Sequence, residues 1–109
     1  MGAKTYKFID FAEKMEIIYA KYGIDEKTCQ VLRAVVRAHL RHKPMKVRHL
    51  LGLSQIGAPA TIHKMMKNLV ARKFLLLGDN PSDKRIKYLY PAPPTLNFFK
   101  ELSSKMSSC

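Results

Sequence analysis

Acidic residues are scarce in this chain, and where they are missing matters more than how few they are. Aspartate and glutamate together number 8 in 109 residues, against 20 lysines and arginines, for a formal net charge of +12. From Lys27 to Gly78 there is no acid at all, while Arg33, Arg37, Arg41, Lys43, Lys46, Arg48, Lys64, Lys67, Arg72 and Lys73 all fall there. A solvated basic surface is the ordinary explanation of a positive balance. Such surfaces intersperse acids, however, so the gap points to a polyanionic partner. Cysteine is nearly absent too: Cys29 on a helical pattern and Cys109 at the last position make no disulfide framework. No signal peptide precedes them, so a reducing cytoplasm is the expected location. No apolar run approaches the roughly 20 residues that cross a bilayer, which excludes membrane insertion. There is no Gly-rich phosphate loop and no nucleophile motif. Asp79 and Asp83 flank a turn, where backbone hydrogen bonds account for them without catalysis. His39 and His42 stand at i, i+3 with His49 further on, but no Asp, Glu or Cys lies near enough in sequence to complete a metal set. His39 reads instead as a core histidine. The expectation is a protein that is no enzyme and needs no metal or cofactor.

What is present describes one globular domain, residues 1–109, long enough for a modest core; 47% of it is hydrophobic and 26% charged. Residues 1–4 read as a loose tail. Thr5 to Tyr22 reads as a helix, with Phe8, Phe11, Ala12, Met15, Ile18, Tyr19 and Tyr22 on one wide stripe and Gly23 as its stop. Asp25 suits an N-cap, and the helix it opens is expected to run to His42. Leu32, Val35, Val36, His39 and Leu40 would line its inner face. Arg33, Arg37 and Arg41 step by four along the outer face, where like charges repel and phosphates would offset the repulsion. Lys43-Pro44 breaks the chain before a short helix from about Lys46 to Leu51, with Val47, Leu50 and Leu51 inward. The C-terminal helix is expected over about 95–106, capped by Thr95, with Leu96, Phe99, Leu102 and Met106 on its stripe and Phe98 beside it. Ser103-Ser104 and Ser107-Ser108-Cys109 look frayed.

Between these lies the stretch that carries function. Ala58 to Lys73 reads as a helix whose apolar residues Ile62, Met65, Met66, Leu69 and Val70 fall on one face, and Pro59 fits its first turn. The opposite face presents Thr61, His63, Lys64, Lys67, Asn68 and Ala71. Residues 74–91 then read as a hairpin. Phe74-Leu75-Leu76-Leu77 is the first strand and Gly78-Asp79-Asn80-Pro81-Ser82-Asp83 the turn. Arg85 to Tyr90 is the second strand, with Ile86, Tyr88 and Tyr90 on one side and Arg85 and Lys87 on the other. A short helix, a glycine-containing turn, a basic helix and a basic hairpin make a winged helix-turn-helix. The predicted class is mainly α with a small β-hairpin, about five helices plus a two-stranded wing.

Leu53-Ser54, the helix over Pro59 to Lys73 and the wing Asn80-Pro81-Ser82-Asp83-Lys84-Arg85 resemble the DNA-binding lobe of MarR-type transcription regulators. The most specific piece is Asp83-Lys84-Arg85, which matches that family's Asp-any-Arg wing signature two residues after a proline. The likeness covers roughly residues 30 to 92 and departs after the second strand, at Pro91-Ala92-Pro93-Pro94. It implies sequence-specific binding of double-stranded DNA by a transcriptional regulator. Thr61, His63, Lys64, Lys67 and Asn68 would enter the major groove. Lys84, Arg85 and Lys87 would hold the wing, whose tip reaches the minor groove through Arg85, with Asp83 orienting the wing and Arg37 and Arg41 on flanking phosphates. A homodimer through the N- and C-terminal helices is the expected assembly. Two other readings suit the charge: an RNA- or ribosome-associated winged helix, and a module that binds an acidic protein.

Overall fold

The computed structural model describes residues 3–107, with side chains over 6–106. In chain order it contains α1 (Ala3–Tyr22), α2 (Glu26–Leu40), β1 (Met45–Lys46), α3 (Val47–Leu51) and α4 (Pro59–Ala71). β2 (Leu75–Asp79), β3 (Lys87–Pro91) and α5 (Pro93–Ser107) complete it. The expected frayed positions 108 and 109, Cys109 included, lie outside the described residues, as do Met1 and Gly2. Ala3 and Lys4 belong to α1 and not to a tail.

The predicted two-stranded wing is part of a three-stranded antiparallel sheet of order β1-β3-β2. Met45 pairs with Leu89 and Lys46 with Tyr88, while Leu77 pairs with Leu89 and Leu75 with Pro91. β1 has two residues, too few for any alternation to mark it. In β3 the side that enters the core is the one carrying Leu89 and Pro91, and Tyr88 and Tyr90 lie half-buried on the other. Gly78 lets the Tyr90 ring lie across β2: a Cβ there would come within 2.6 Å of Tyr90 Cε2.

Leu32, Val35, Leu50, Ile62, Leu69, Leu75, Leu89 and Phe98 are wholly buried and join α2, α3, α4, the sheet and α5 into one core. α2 ends at Leu40, two residues before the expected His42. His42 takes φ 60, its N–H bonds to His39 O at 3.0 Å, and Lys43 N–H bonds to Ala38 O at 3.0 Å. That is a left-handed helix stop with histidine in place of the usual glycine. The inner face of α2 is Cys29, Val31, Leu32 and Val35. His39 and Leu40, expected inside, are exposed, Leu40 at 70%. They continue the azimuth of the buried face but are solvent-exposed, so the core-histidine reading does not hold.

The terminal helices meet along part of their length. Phe98 packs its ring 5.6 Å from Tyr19 and 5.3 Å from Tyr22, and Lys21 pairs with Glu101 at 2.7 Å. α5 starts two residues earlier than expected, because Pro93 and Pro94 suit a first turn that has no use for their missing N–H groups. Thr95 is therefore no cap. It is buried within the helix, and its hydroxyl donates to the Phe74 carbonyl at 2.5 Å. The buried stripe becomes Thr95, Phe98 and Leu102, leaving Leu96 and Met106 exposed. In α1 Phe11, Ala12 and Met15 are half-buried and full burial is reached at Ile18; Phe8, expected on the stripe, is 71% exposed, and Tyr6, Ile9 and Ile17 are exposed with it. The molecule measures 57 × 25 × 23 Å.

Candidate nucleic-acid interface

α4 buries Ile62, Met66 and Leu69 and half-buries Met65 and Val70, which fixes its rotation. Thr61, His63, Lys64, Lys67 and Asn68 are consequently all exposed on its outer face, together with Ala71. No acid shares that face. Leu53 and Ile56 fill the turn between α3 and α4, with Ile56 N–H bonded to Leu53 O at 3.0 Å, so the start of α4 is held against the body.

The wing tip is ordered by its own side chains. Asn80 Oδ1 accepts from Ser82 N–H at 2.8 Å and Asp83 N–H at 3.1 Å, and Asn80 Nδ2 donates to the Tyr88 hydroxyl at 3.1 Å. Asp83 then accepts from Arg85 three times: from its N–H at 3.0 Å, its Nε at 3.1 Å and its Nη2 at 3.2 Å. These bonds hold the Asp83 carboxyl below the usual carboxylate range, with the charge of Arg48 adding to the effect. The Arg85 side chain is nonetheless 89% exposed. Lys87 pairs with Asp79 across the hairpin, and among the described residues Lys84 has no ion-pair partner.

Because β1 pairs with β3, α3 is brought alongside the wing. A groove of about 780 Å³ lies between them. Lys46, Arg48, His49, Arg85 and Lys87 rim it, and Val47, Leu51 and Ile86 are among the apolar residues lining it. In the sequence Lys46 and Arg48 fall in the acid-free span with no site assigned to them, and His49 stands out only beside His39 and His42. Their proximity to the wing comes from a strand too short to be read. The basic surface is thus continuous from the wing to α3.

The other expected positions are less uniform. Arg37 borders a shallow groove of about 230 Å³ that also touches Arg33, Gln55 and Ile56, which sets it beside the turn entering α4. It also borders a second groove, with Leu40 and Phe99, toward α5. Arg41 is the C-cap residue of α2 and lines neither. Arg33 of the same ridge is paired with Glu26 at 3.4 Å. Elsewhere, burial pushes the Cys29 thiol up and raises the Tyr19 hydroxyl that bonds to it at 3.4 Å, so neither is an activated group. Among the described residues no three His, Cys, Asp or Glu side chains are grouped to hold a metal, and no helix is long and apolar enough to cross a membrane.

No family model and no curated protein matches this sequence. Solved structures do. The chain is similar to S. aureus MepR in a DNA complex, with a TM-score of 0.78 at 12% identity over 91% of this chain and 71% of that one. It is similar to the transcriptional regulator Tm0710 of Thermotoga maritima, TM-score 0.73 at 16% identity, over 92% of this chain and 67% of that one. A MarR-like transcription regulator from Bacillus cereus gives 0.64 at 11% identity, over 95% and 71%. The fold is that of the MarR-like winged-helix regulators. At these identities the likeness is one of fold. Within this fold α3 and α4 make the helix-turn-helix and β2 with β3 forms the wing.

Proposed function

We propose that this protein binds double-stranded DNA sequence-specifically and regulates transcription by occupancy. The observation that carries the reading is the α4 face of Thr61, His63, Lys64, Lys67 and Asn68, acid-free and exposed. It flanks a wing and an α3 that add further cations on a common groove. A helix of this width fits the major groove of B-form DNA, and a hairpin tip with Lys84 and Arg85 fits the adjacent minor groove. Thr61 and Asn68 are the candidates for base edges, and Lys64 and Lys67 for bases or flanking phosphates. Asp83 orients Arg85. Arg37 and Arg41 extend the phosphate contacts along α2. MepR, which shares the fold, is seen bound to DNA.

The deciding experiment is fluorescence anisotropy with duplex DNA, single-stranded DNA and duplex RNA across a salt series. Duplex DNA should bind tightest, because the deep, narrow major groove of A-form RNA does not admit α4. Tighter RNA binding at every salt would replace this reading with the RNA-associated one. Binding to none of the three would favour an acidic protein partner.

The assembly proposed with it is a homodimer through α1 and α5. α1 exposes Tyr6, Phe8, Ile9 and Ile17, and α5 exposes Leu96 and Met106. A two-fold dimer would set two α4 helices about 34–36 Å apart, one turn of DNA. Light scattering that reports a monomer at high micromolar concentration would refute it.

A further inference from the structure

Arg72 follows α4 directly, and by charge alone it belongs with the phosphate-facing cations. Its geometry says otherwise. Nη1 donates to the Gly23 carbonyl at 3.1 Å and Nη2 donates to the Tyr22 carbonyl. Those carbonyls close α1, so a fixed positive charge stands at the negative end of that helix dipole. The guanidinium also lies 4.7 Å from the centroid of the Phe74 ring, which meets the Tyr22 ring edge-on at 6.4 Å. Gly23 makes room for this: it takes φ +66, and a Cβ on it would come within 3.0 Å of Arg72 Nη2. Among the described residues these are the hydrogen bonds that join the end of α4 to the end of α1. Otherwise α4 is held chiefly by α3, β2 and α2.

We infer that Arg72 is a positioning residue for DNA binding, which fixes the end of the recognition helix to the last turn of α1 and contacts no phosphate itself. The inference rests on the DNA-binding reading above. A planar fork that reaches two carbonyls while stacked on a ring is a task for arginine; lysine keeps the charge but cannot reproduce the geometry. Because α1 also carries the proposed dimer surface, the same strap would relay the position of α1 to α4.

The test compares Arg72→Lys and Arg72→Gln with the wild-type chain, using labelled duplex DNA over a salt series, with Val31→Ala as a core variant of lowered melting temperature. Both Arg72 variants should bind about three- to thirtyfold more weakly at any one salt. Their slopes of log affinity against log salt should match the wild type, and Val31→Ala should keep its affinity wherever it is folded. A phosphate contact gives a different pattern: Arg72→Gln would lose about 0.9 of slope and Arg72→Lys would be restored. That pattern, wild-type affinity in both variants, or an equal loss in Val31→Ala would each overturn the inference. A wild-type chain that binds no duplex defeats the DNA reading itself. The strap is then judged by amide exchange, which in Arg72→Gln should quicken selectively in the last turns of α1 and α4; unchanged protection there would dispose of it as well.

Discussion

Salt is the perturbation that reads the proposed interface most directly, because each neutralised phosphate releases counterions. Lys64 and Lys67 on α4, Lys46 and Arg48 on the α3 groove, and Lys84 on the wing are exposed and have no ion pair among the described residues. Arg85 and Lys87 are already matched to Asp83 and Asp79, and a phosphate must compete with those carboxylates for them. With Arg37 and Arg41 on α2, also exposed and without an ion pair among the described residues, each chain offers roughly seven phosphate contacts outright and about nine if both pairs open, for a slope of log affinity against log salt near −6 to −8. A dimer on one duplex would about double it. Anisotropy between about 50 and 200 mM salt measures the slope. Lys67→Ala or Arg48→Ala should each make it shallower by about 0.9 and weaken all sequences alike, as phosphate contacts do. Thr61→Ala and Asn68→Ala should leave the slope unchanged and relax sequence preference. A wild-type slope shallower than about −2 would mean that the charge is solvated surface, and the argument from the acid-free span would fail.

Arg85→Ala should weaken duplex binding by about 1–3 kcal/mol with little change in melting temperature, since its side chain is 89% exposed; unchanged affinity would place the wing off the DNA. Asp83→Ala should weaken binding by releasing the tip, visible as faster amide exchange at Arg85 and Ile86, whose N–H groups bond to Asp83 side chain and backbone. Phe98→Ala removes a ring packed on Tyr19, Tyr22 and Phe99 and should cost about 3–5 kcal/mol of stability by denaturant melting. Asp25 accepts from Thr28 N–H at 2.7 Å and is held below the usual carboxylate range by that bond, so Asp25→Ala should cost about 0.5–2 kcal/mol near neutrality. Its folded value lies below its unfolded one, so the contribution is fully present above the unfolded value, about 3.9, and fades as pH falls through the folded value. The gap between wild type and Asp25→Ala should close in strong acid, and a gap that persists would assign the cap to something other than the carboxylate.

Local signals account for what could be read from sequence alone. α4 announces itself by periodicity over its 13 residues, and the wing by turn residues whose side chains do accept from the backbone that follows them, Asn80 and Asp83 above all. β1 had nothing comparable, because two residues carry no period, and with it went the pairing that places Lys46, Arg48 and His49 beside the wing. His39 and Leu40 show a second limit: a residue can lie on the buried azimuth of a helix and still be exposed when nothing covers that turn. In α5 the register of the buried stripe is set by the Phe74 carbonyl, 21 residues back, which takes the Thr95 hydroxyl that sequence alone assigned to a cap.

Charge is where local reading is most apt to mislead, and the arginines of this chain show why. Arg33, Arg72 and Arg85 look alike in a count of +12. In the fold one is matched to Glu26, one is locked onto the end of α1, and one is steered by Asp83 yet remains exposed. A guanidinium already bonded to two carbonyls at a helix end and stacked on a ring gains less from a phosphate, because it would exchange those charge-assisted bonds and the ring contact for it. A surface guanidinium paired with one aspartate gives up much less, since exposed pairs are worth about 0–1 kcal/mol. The phosphate-binding capacity of the surface is therefore smaller than its net charge, and it is concentrated where the fold leaves cations unmatched, on the outer face of α4, at Arg37 and Arg41 of α2, along the α3 groove and at the wing.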